Sequence, residues 1–190
     1  MTGNPEELSR IQLTLYTDAL VIRGYTLAAA TRVTDILNRV QDPFLVLEEV
    51  TVEEFGERGQ PIRAAFAQTN LEAVLFAVIA QRVNTVPPPG LRMVKQPELA
   101  IISVPPFRIT GTIHLLPSDG DLRAGLATLT GRFIPVTGAT YWSERVGEAR
   151  QPSDVLAVNR HRAQILAPHV EQDPWTGLDR MPGPRGPSSS

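Results

Sequence analysis

The chain has 190 residues, 42% hydrophobic and 20% charged, a balance that builds a globular core and excludes a disordered chain. Cysteine is absent, which removes disulfides, thiolate nucleophiles and cysteine-based metal sites and fits a reducing cytoplasm. The formal net charge is −2 with a pI near 5.9, against the basic balance of most nucleic-acid-binding domains. Lys95 is the single lysine among 18 basic residues, and this arginine bias with 17 prolines points to a GC-rich bacterial genome.

Residues 1–10 form a polar, charged arm with no apolar stretch that would serve as a signal peptide. The longest apolar run, Ala73 to Ala80, falls far short of the roughly 20 residues of a membrane helix, so a soluble, cytoplasmic protein is expected. A first β-barrel-like repeat is read over residues 11–83. It starts with a strand from Asp18 to Thr26 that ends near Gly24. Val33, Ile36, Leu37 and Val40 follow at i, i+3, i+4 and i+7, one face of a short helix, with Arg32, Asp35 and Arg39 pointing outward. A β-branched strand is predicted from Phe44 to Glu53, and a strand pair from Ile62 to Ala80 turns at Asn70, a residue type that tolerates the left-handed backbone of tight turns.

Residues 84–97 contain Pro87, Pro88, Pro89 and Gly90 and are read as a connector, because consecutive prolines resist both helix and ladder pairing. The second repeat, residues 98–168, runs through the same series. A strand spans Phe107 to Leu116. A helix carries Leu122, Gly125, Leu126 and Leu129, with Asp121 as its N-cap. A strand from Phe133 to Ser143 and a strand pair from Val155 to Ala167 around Asn159 complete it. Residues 169–190 form a Pro/Gly/Ser tail expected to be disordered, with Trp175 as its one anchor.

The two halves are related by a fixed offset. Adding 89 takes Val33, Leu37 and Val40 to Leu122, Leu126 and Leu129, then Phe44 to Phe133, Leu47 to Val136 and Thr51 to Thr140. It also takes Asn70 to Asn159 and Phe76 to Ile165, while upstream the offset is 87 and aligns Ile22-Arg23-Gly24 with Ile109-Thr110-Gly111. The fold class that follows is mainly β: a tandem duplication of a small, partly open β-barrel unit with one short helix per unit. A unit of this size buries a marginal core alone, so the two are expected to pack side by side.

Charge divides unevenly, −5 over residues 1–80 and +4 over residues 81–168. Opposite fields of this kind steer association. Chemical signatures are sparse. His114, His161 and His169 lack metal-ligand spacing, Asp119-Gly120-Asp121 lacks the later ligands of a calcium loop, and no phosphate loop, nucleophile elbow or dinucleotide fingerprint is present. No catalytic residue, metal or cofactor is assigned, and the chain is read as a non-enzyme.

The run Arg32-Val33-Thr34-Asp35-Ile36-Leu37-Asn38 with Phe44-Leu45-Val46-Leu47 resembles an uncharacterised bacterial domain family. Each half also resembles the Sm-like small barrel, through Gly24 and Gly111 on the first strand and Asn70 and Asn159 at the turn of the closing strand pair. The Sm-like resemblance implies a five-stranded unit and nucleotide contacts at that turn, although its Arg-Gly turn is replaced by Asn159-Arg160 and the helix interrupts the strands. The expected function is a non-enzymatic binding or assembly module that self-associates through strand edges or its charged halves. One alternative is RNA binding through the basic second repeat, with Arg145, Arg150, Arg160 and Arg162 as phosphate contacts and Asn70, Asn159 and His161 at the turns. Another is a small-molecule sensor with a pocket between the repeats.

Overall fold

Alternation of apolar and polar side chains puts most of the chain into strands, and Phe107–Leu115 shows why. Phe107, Ile109, Gly111, Ile113 and Leu115 are buried while Arg108, Thr110, Thr112 and His114 are not, the two-residue period of a strand with one face on a core. The computed structural model describes residues 9–28, 32–39, 43–56, 60–79, 95–116 and 122–169. Val40, the proline run of the connector, the cap residue Asp121 and the tail with Trp175 lie outside the described residues.

The elements in chain order are β1 (Ser9–Tyr16), β2 (Leu20–Ala28), α1 (Val33–Arg39), β3 (Phe44–Glu54), β4 (Ile62–Asn70) and β5 (Phe76–Ile79), then β6 (Gln96–Val104), β7 (Phe107–Leu115), α2 (Leu122–Ala127), β8 (Phe133–Ser143), β9 (Glu148–Asn159) and β10 (Ile165–Pro168). The series β-β-α-β-β-β therefore occurs twice. All strands pair antiparallel in one open sheet, ordered β10-β6-β7-β8-β9-β5-β1-β2-β3-β4. The first half contributes β5-β1-β2-β3-β4 and the second contributes β10-β6-β7-β8-β9. They meet where β5 pairs with β9, Phe76 opposite Val158, Ala77 opposite Ala157 and Val78 opposite Leu156.

This arrangement replaces two barrels packed side by side. Closing the first half would need β4 on β5, but β5 gives its second edge to β9, so the halves are continuous through backbone hydrogen bonds. Two strands also went unread in the sequence. β1 overlaps the polar arm and β6 overlaps the proline-rich connector, and both are placed by pairing with the strand that follows, β1 on β2 and β6 on β7. At the β1–β2 turn, Thr17 N–H donates to Leu20 O at 2.9 Å and Thr17 Oγ1 accepts from Leu20 N–H at 2.8 Å.

Gly24 and Gly111 lie inside β2 and β7 and mark matching bulges. Pairing skips from Arg23↔Thr51 to Tyr25↔Glu48 in one half and from Thr110↔Thr140 to Thr112↔Thr137 in the other, so two residues face one glycine. A Cβ on Gly111 would meet Val136 Cγ1 at 2.7 Å, and one on Gly24 would meet Leu47 Cβ at 3.0 Å. Opposite each glycine stands a left-handed residue, Glu49 (φ 50°) and Gly138 (φ 54°), again separated by the 89-residue offset.

Two cores form, and each takes side chains across the junction. The first gathers Leu13, Leu15, Leu37 and Leu47 and also Phe133 and Ala157 from the second half. The second gathers Ile102, Phe107, Ile109 and Val136 together with Tyr16 and Phe76 from the first half. Phe76 and Phe133 are fully buried, and each such side chain stabilises by about 2–3 kcal/mol through loss of apolar surface to water. Most of what holds the halves together is therefore hydrophobic.

Candidate functional site

The junction is organised by Asn159, the last residue of β9. Its N–H donates to Leu75 O at 2.9 Å, continuing the β5–β9 ladder into the turn before β5. Its Nδ2 donates to Val74 O at 2.8 Å and Leu71 O at 3.3 Å, the carbonyls of the turn that closes β4 in the other half. Its Oδ1 accepts from His161 N–H at 3.1 Å, which folds the turn toward β10. Asn159 is 1% exposed, so every polar atom it brings into the core is matched. This asparagine is a clamp between halves.

Asn70 occupies the matching place at the end of β4. Its Oδ1 accepts from Glu72 N–H at 2.9 Å, as Asn159 Oδ1 does from His161 N–H. Its Nδ2 has no partner among the described residues, and the side chain is partly exposed. The two asparagines share a local turn and differ in whether a neighbouring strand is present.

A second hinge of the junction comes from α1. Asn38 Nδ2 donates to Phe133 O and Asn38 Oδ1 accepts from Phe133 N–H, both at 2.8 Å, so one side chain of the first half caps the start of β8 in the second. At the centre Tyr16 and Tyr141 join their hydroxyls at 2.9 Å. Tyr16 stacks on Phe76 with centroids 4.5 Å apart, while Phe107 meets Tyr16 and Phe76 edge-on. Burial raises the pKa of both phenols above the usual tyrosine value; Tyr16 is raised further by its hydrogen bond to Tyr141, and Tyr141 is pulled back in part by the same bond. Both stay protonated at neutral pH. Sequence reading missed this aromatic cluster, because its members come from β1, β5, β7 and β8 and share no local spacing.

The predicted site residues divide into two groups. Asn159, His161 and Arg162 line one cleft with Arg132 and Glu72, about 270 Å³ in volume and open to solvent. Arg160 is beside it, but its guanidinium is turned to Leu129 O and its Nε is buried with no partner among the described residues. Arg145 lies in the turn between β8 and β9, and Arg150 stacks over Trp142 at 4.4 Å. At about 3.3 Å per residue, the length of β9 separates these two from the cleft by about 30 Å. Arg145 and Arg150 therefore stand at the other end of β9 from Arg160 and Arg162.

The two ends of the sheet are β4 and β10. Residues of an antiparallel pair alternate between exchanging both hydrogen bonds and exchanging none. Leu71 N–H donates to Pro43 O at 2.7 Å, so one step on, Asn70, and two steps beyond it, Gln68, aim their backbone N–H and C=O away from β3. His169 N–H donates to Leu99 O at 2.8 Å, and the same count turns the backbone of Leu166 away from β6. Large apolar side chains stand exposed at both ends, Ile62 and Phe66 on β4 and Ile165 on β10. A shallow groove of about 340 Å³ runs along β3 and β4, lined by Glu49, Val50, Thr51, Arg63, Ala64 and Ala65.

Among the described residues no three His, Asp or Glu side chains gather as a metal-binding group, and no helix is long and apolar enough to cross a membrane. No family model, curated protein or solved structure matches the chain.

Proposed function

We propose that the chain is a non-enzymatic assembly module that acts through the two open edges of its sheet. The observation that carries this reading is the pair of outward-facing backbone rows on β4 and β10, each accompanied by exposed large apolar side chains. An edge of that kind is a template for another strand unless charge, proline or a bulge blunts it. Gln68 and Phe66 on β4 are neither charged nor proline, and β10 reaches a proline only at its last residue, Pro168.

The same reading includes a tandem duplication. Its support is the 89-residue offset, the twice-repeated element order, the matching bulges at Gly24 and Gly111, and the left-handed pair Glu49 and Gly138. Each half contributes five strands to the open sheet and meets the other half where β5 pairs with β9.

The test is made on the tagged full chain sized in a native extract. The wild type is expected above the mass of one chain, and Gln68→Pro, which deletes one outward N–H and leaves the β3–β4 ladder its bonds, is expected at the mass of one chain. A wild type that runs as a single chain in the extract refutes the edge reading.

A second reading has one observation in its favour, the cleft where Arg132, His161 and Arg162 converge. It takes up the Sm-like resemblance and makes the cleft a contact for single-stranded RNA. Titration with oligoribonucleotides decides it: RNA binding through phosphates weakens steeply with salt, and no binding at low salt removes it. A small-molecule sensor is less favoured, since the cleft is below the roughly 300–1,000 Å³ usual for ligand pockets.

A further inference from the structure

Resting on that edge reading, we infer that the occupant of β4 is β10 of a second copy of this chain, in the register that β5 already takes on β9. The contact is drawn in full inside the molecule. In the 89-residue offset β4 corresponds to β9, and β10 corresponds to β5. The sheet's two ends are thus the two partners of its own central junction, one from each half.

Equivalent residues differ in burial according to whether that neighbour is present. Phe76 on β5 is 0% exposed, and its counterpart Ile165 on β10 is 56% exposed. Transferring the register puts Ile165 opposite Thr69, Leu166 opposite Gln68 and Ala167 opposite Ala67. Gln68 and Leu166 are the residues whose backbone groups already point outward from β4 and β10, so both strands arrive with their hydrogen bonds in phase.

Asn70 then does between chains what Asn159 does within one. Its Nδ2 reaches the carbonyls of Arg160 and Ala163 in the second copy, the counterparts of Leu71 and Val74, and its N–H reaches Gln164 O. The intrachain turn of Asn70 is already set by Glu72, so the donor is held ready. The half that offers β4 carries −5 and the half that offers β10 carries +4, which favours this encounter over pairing of like ends. The contact is heterologous, so copies propagate head to tail and close into a ring where the rotation allows.

The absence of cysteine makes the register directly testable. Thr69 and Ile165 form a pair of the kind that exchanges no hydrogen bonds, with Cα atoms about 4.5 Å apart, within disulfide reach. Purified full chain carrying Thr69→Cys and Ile165→Cys is expected to give a reducible ladder of multiples on oxidation, and Thr69→Cys with Ala167→Cys is expected to give little. Native mass spectrometry of the wild type is expected to show whole-number multiples of one chain that persist in high salt and are lost in Asn70→Ala and Gln68→Pro. Circular dichroism and melting of each variant separate lost pairing from lost folding. Should a variant misfold, hydrogen exchange of the wild type replaces it, with protection of Gln68 and Leu166 expected to rise with concentration. A purified wild type that stays single at all concentrations, or equal cross-linking by both cysteine pairs, overturns the inference. If that same chain is assembled in extract through Gln68, the edge reading stands and only the second-copy assignment fails.

Discussion

Replacing Asn159 by alanine isolates the clamp at the centre of the sheet. The substitution deletes two donated hydrogen bonds, to Val74 O and Leu71 O, and one accepted bond from His161 N–H, at a site closed to water. A net hydrogen bond contributes about 0.5–1.5 kcal/mol, and a buried group left unmatched costs about 1–3 kcal/mol. Because the three partners lie on one pair of turns and relax together, the losses do not add fully, and a total of about 3 kcal/mol is expected. Asn70→Ala deletes a single bond at a partly exposed turn and is expected to lose about 0.5 kcal/mol in the isolated chain. The assay is urea unfolding followed by tryptophan fluorescence and circular dichroism at submicromolar protein, where copies are apart. With a slope of about 2 kcal/mol per molar urea, Asn159→Ala shifts the midpoint by about 1.5 M and Asn70→Ala by about 0.25 M. Equal losses from the two variants, or less than about 1 kcal/mol from Asn159→Ala, would show that the junction is held by its apolar contacts alone.

Gly111→Ala places a methyl group 2.7 Å from Val136 Cγ1 and 3.0 Å from Ala139 Cα, where backbone has to move, and is expected to cost about 1–3 kcal/mol in the same urea titration. The Tyr16–Tyr141 pair makes stability fall at alkaline pH: both phenols titrate higher when folded than the ordinary 10.0, so their contribution is complete below pH 10 and is lost as pH climbs above it. Absorbance at 295 nm is expected to show Tyr16 and Tyr141 ionising above the ordinary tyrosine value, and the Tyr16→Phe/Tyr141→Phe variant is expected to lose less stability between pH 9 and 11 than the wild type.

Local pattern determined the mainly-β class, the two short helices and the limits of β2, β3, β7 and β8, because a two-residue or 3.6-residue apolar period is a property of the segment that carries it, whereas β9 starts at Glu148, ahead of the expected Val155. Phe133–Ser143 was legible to the residue, while Asn70 and Asn159 stand at turns without the left-handed backbone expected of them, and the strands on either side of each pair with other neighbours instead of with each other. The strand pair expected from Ile62 to Ala80 is broken by a non-strand segment over residues 71–75. Segments with mixed signals failed. Ser9–Tyr16 and Gln96–Val104 open with polar or proline residues and become strands because β2 and β7 supply hydrogen-bonding partners.

Tertiary structure alone decided which strands are neighbours. Nothing along the chain says that β5 pairs with β9 instead of closing on β4, since that choice depends on burying Phe76 and Phe133 in the opposite half's core. The same choice separates two asparagines that look identical in sequence. Asn159 is buried and fully matched because a strand lies beside it, and Asn70 has the same turn at the end of the sheet. Periodicity records which face of a strand is apolar; it carries no record of which backbone lies alongside, and that is why the sequence specified the unit and only the fold specified how units join.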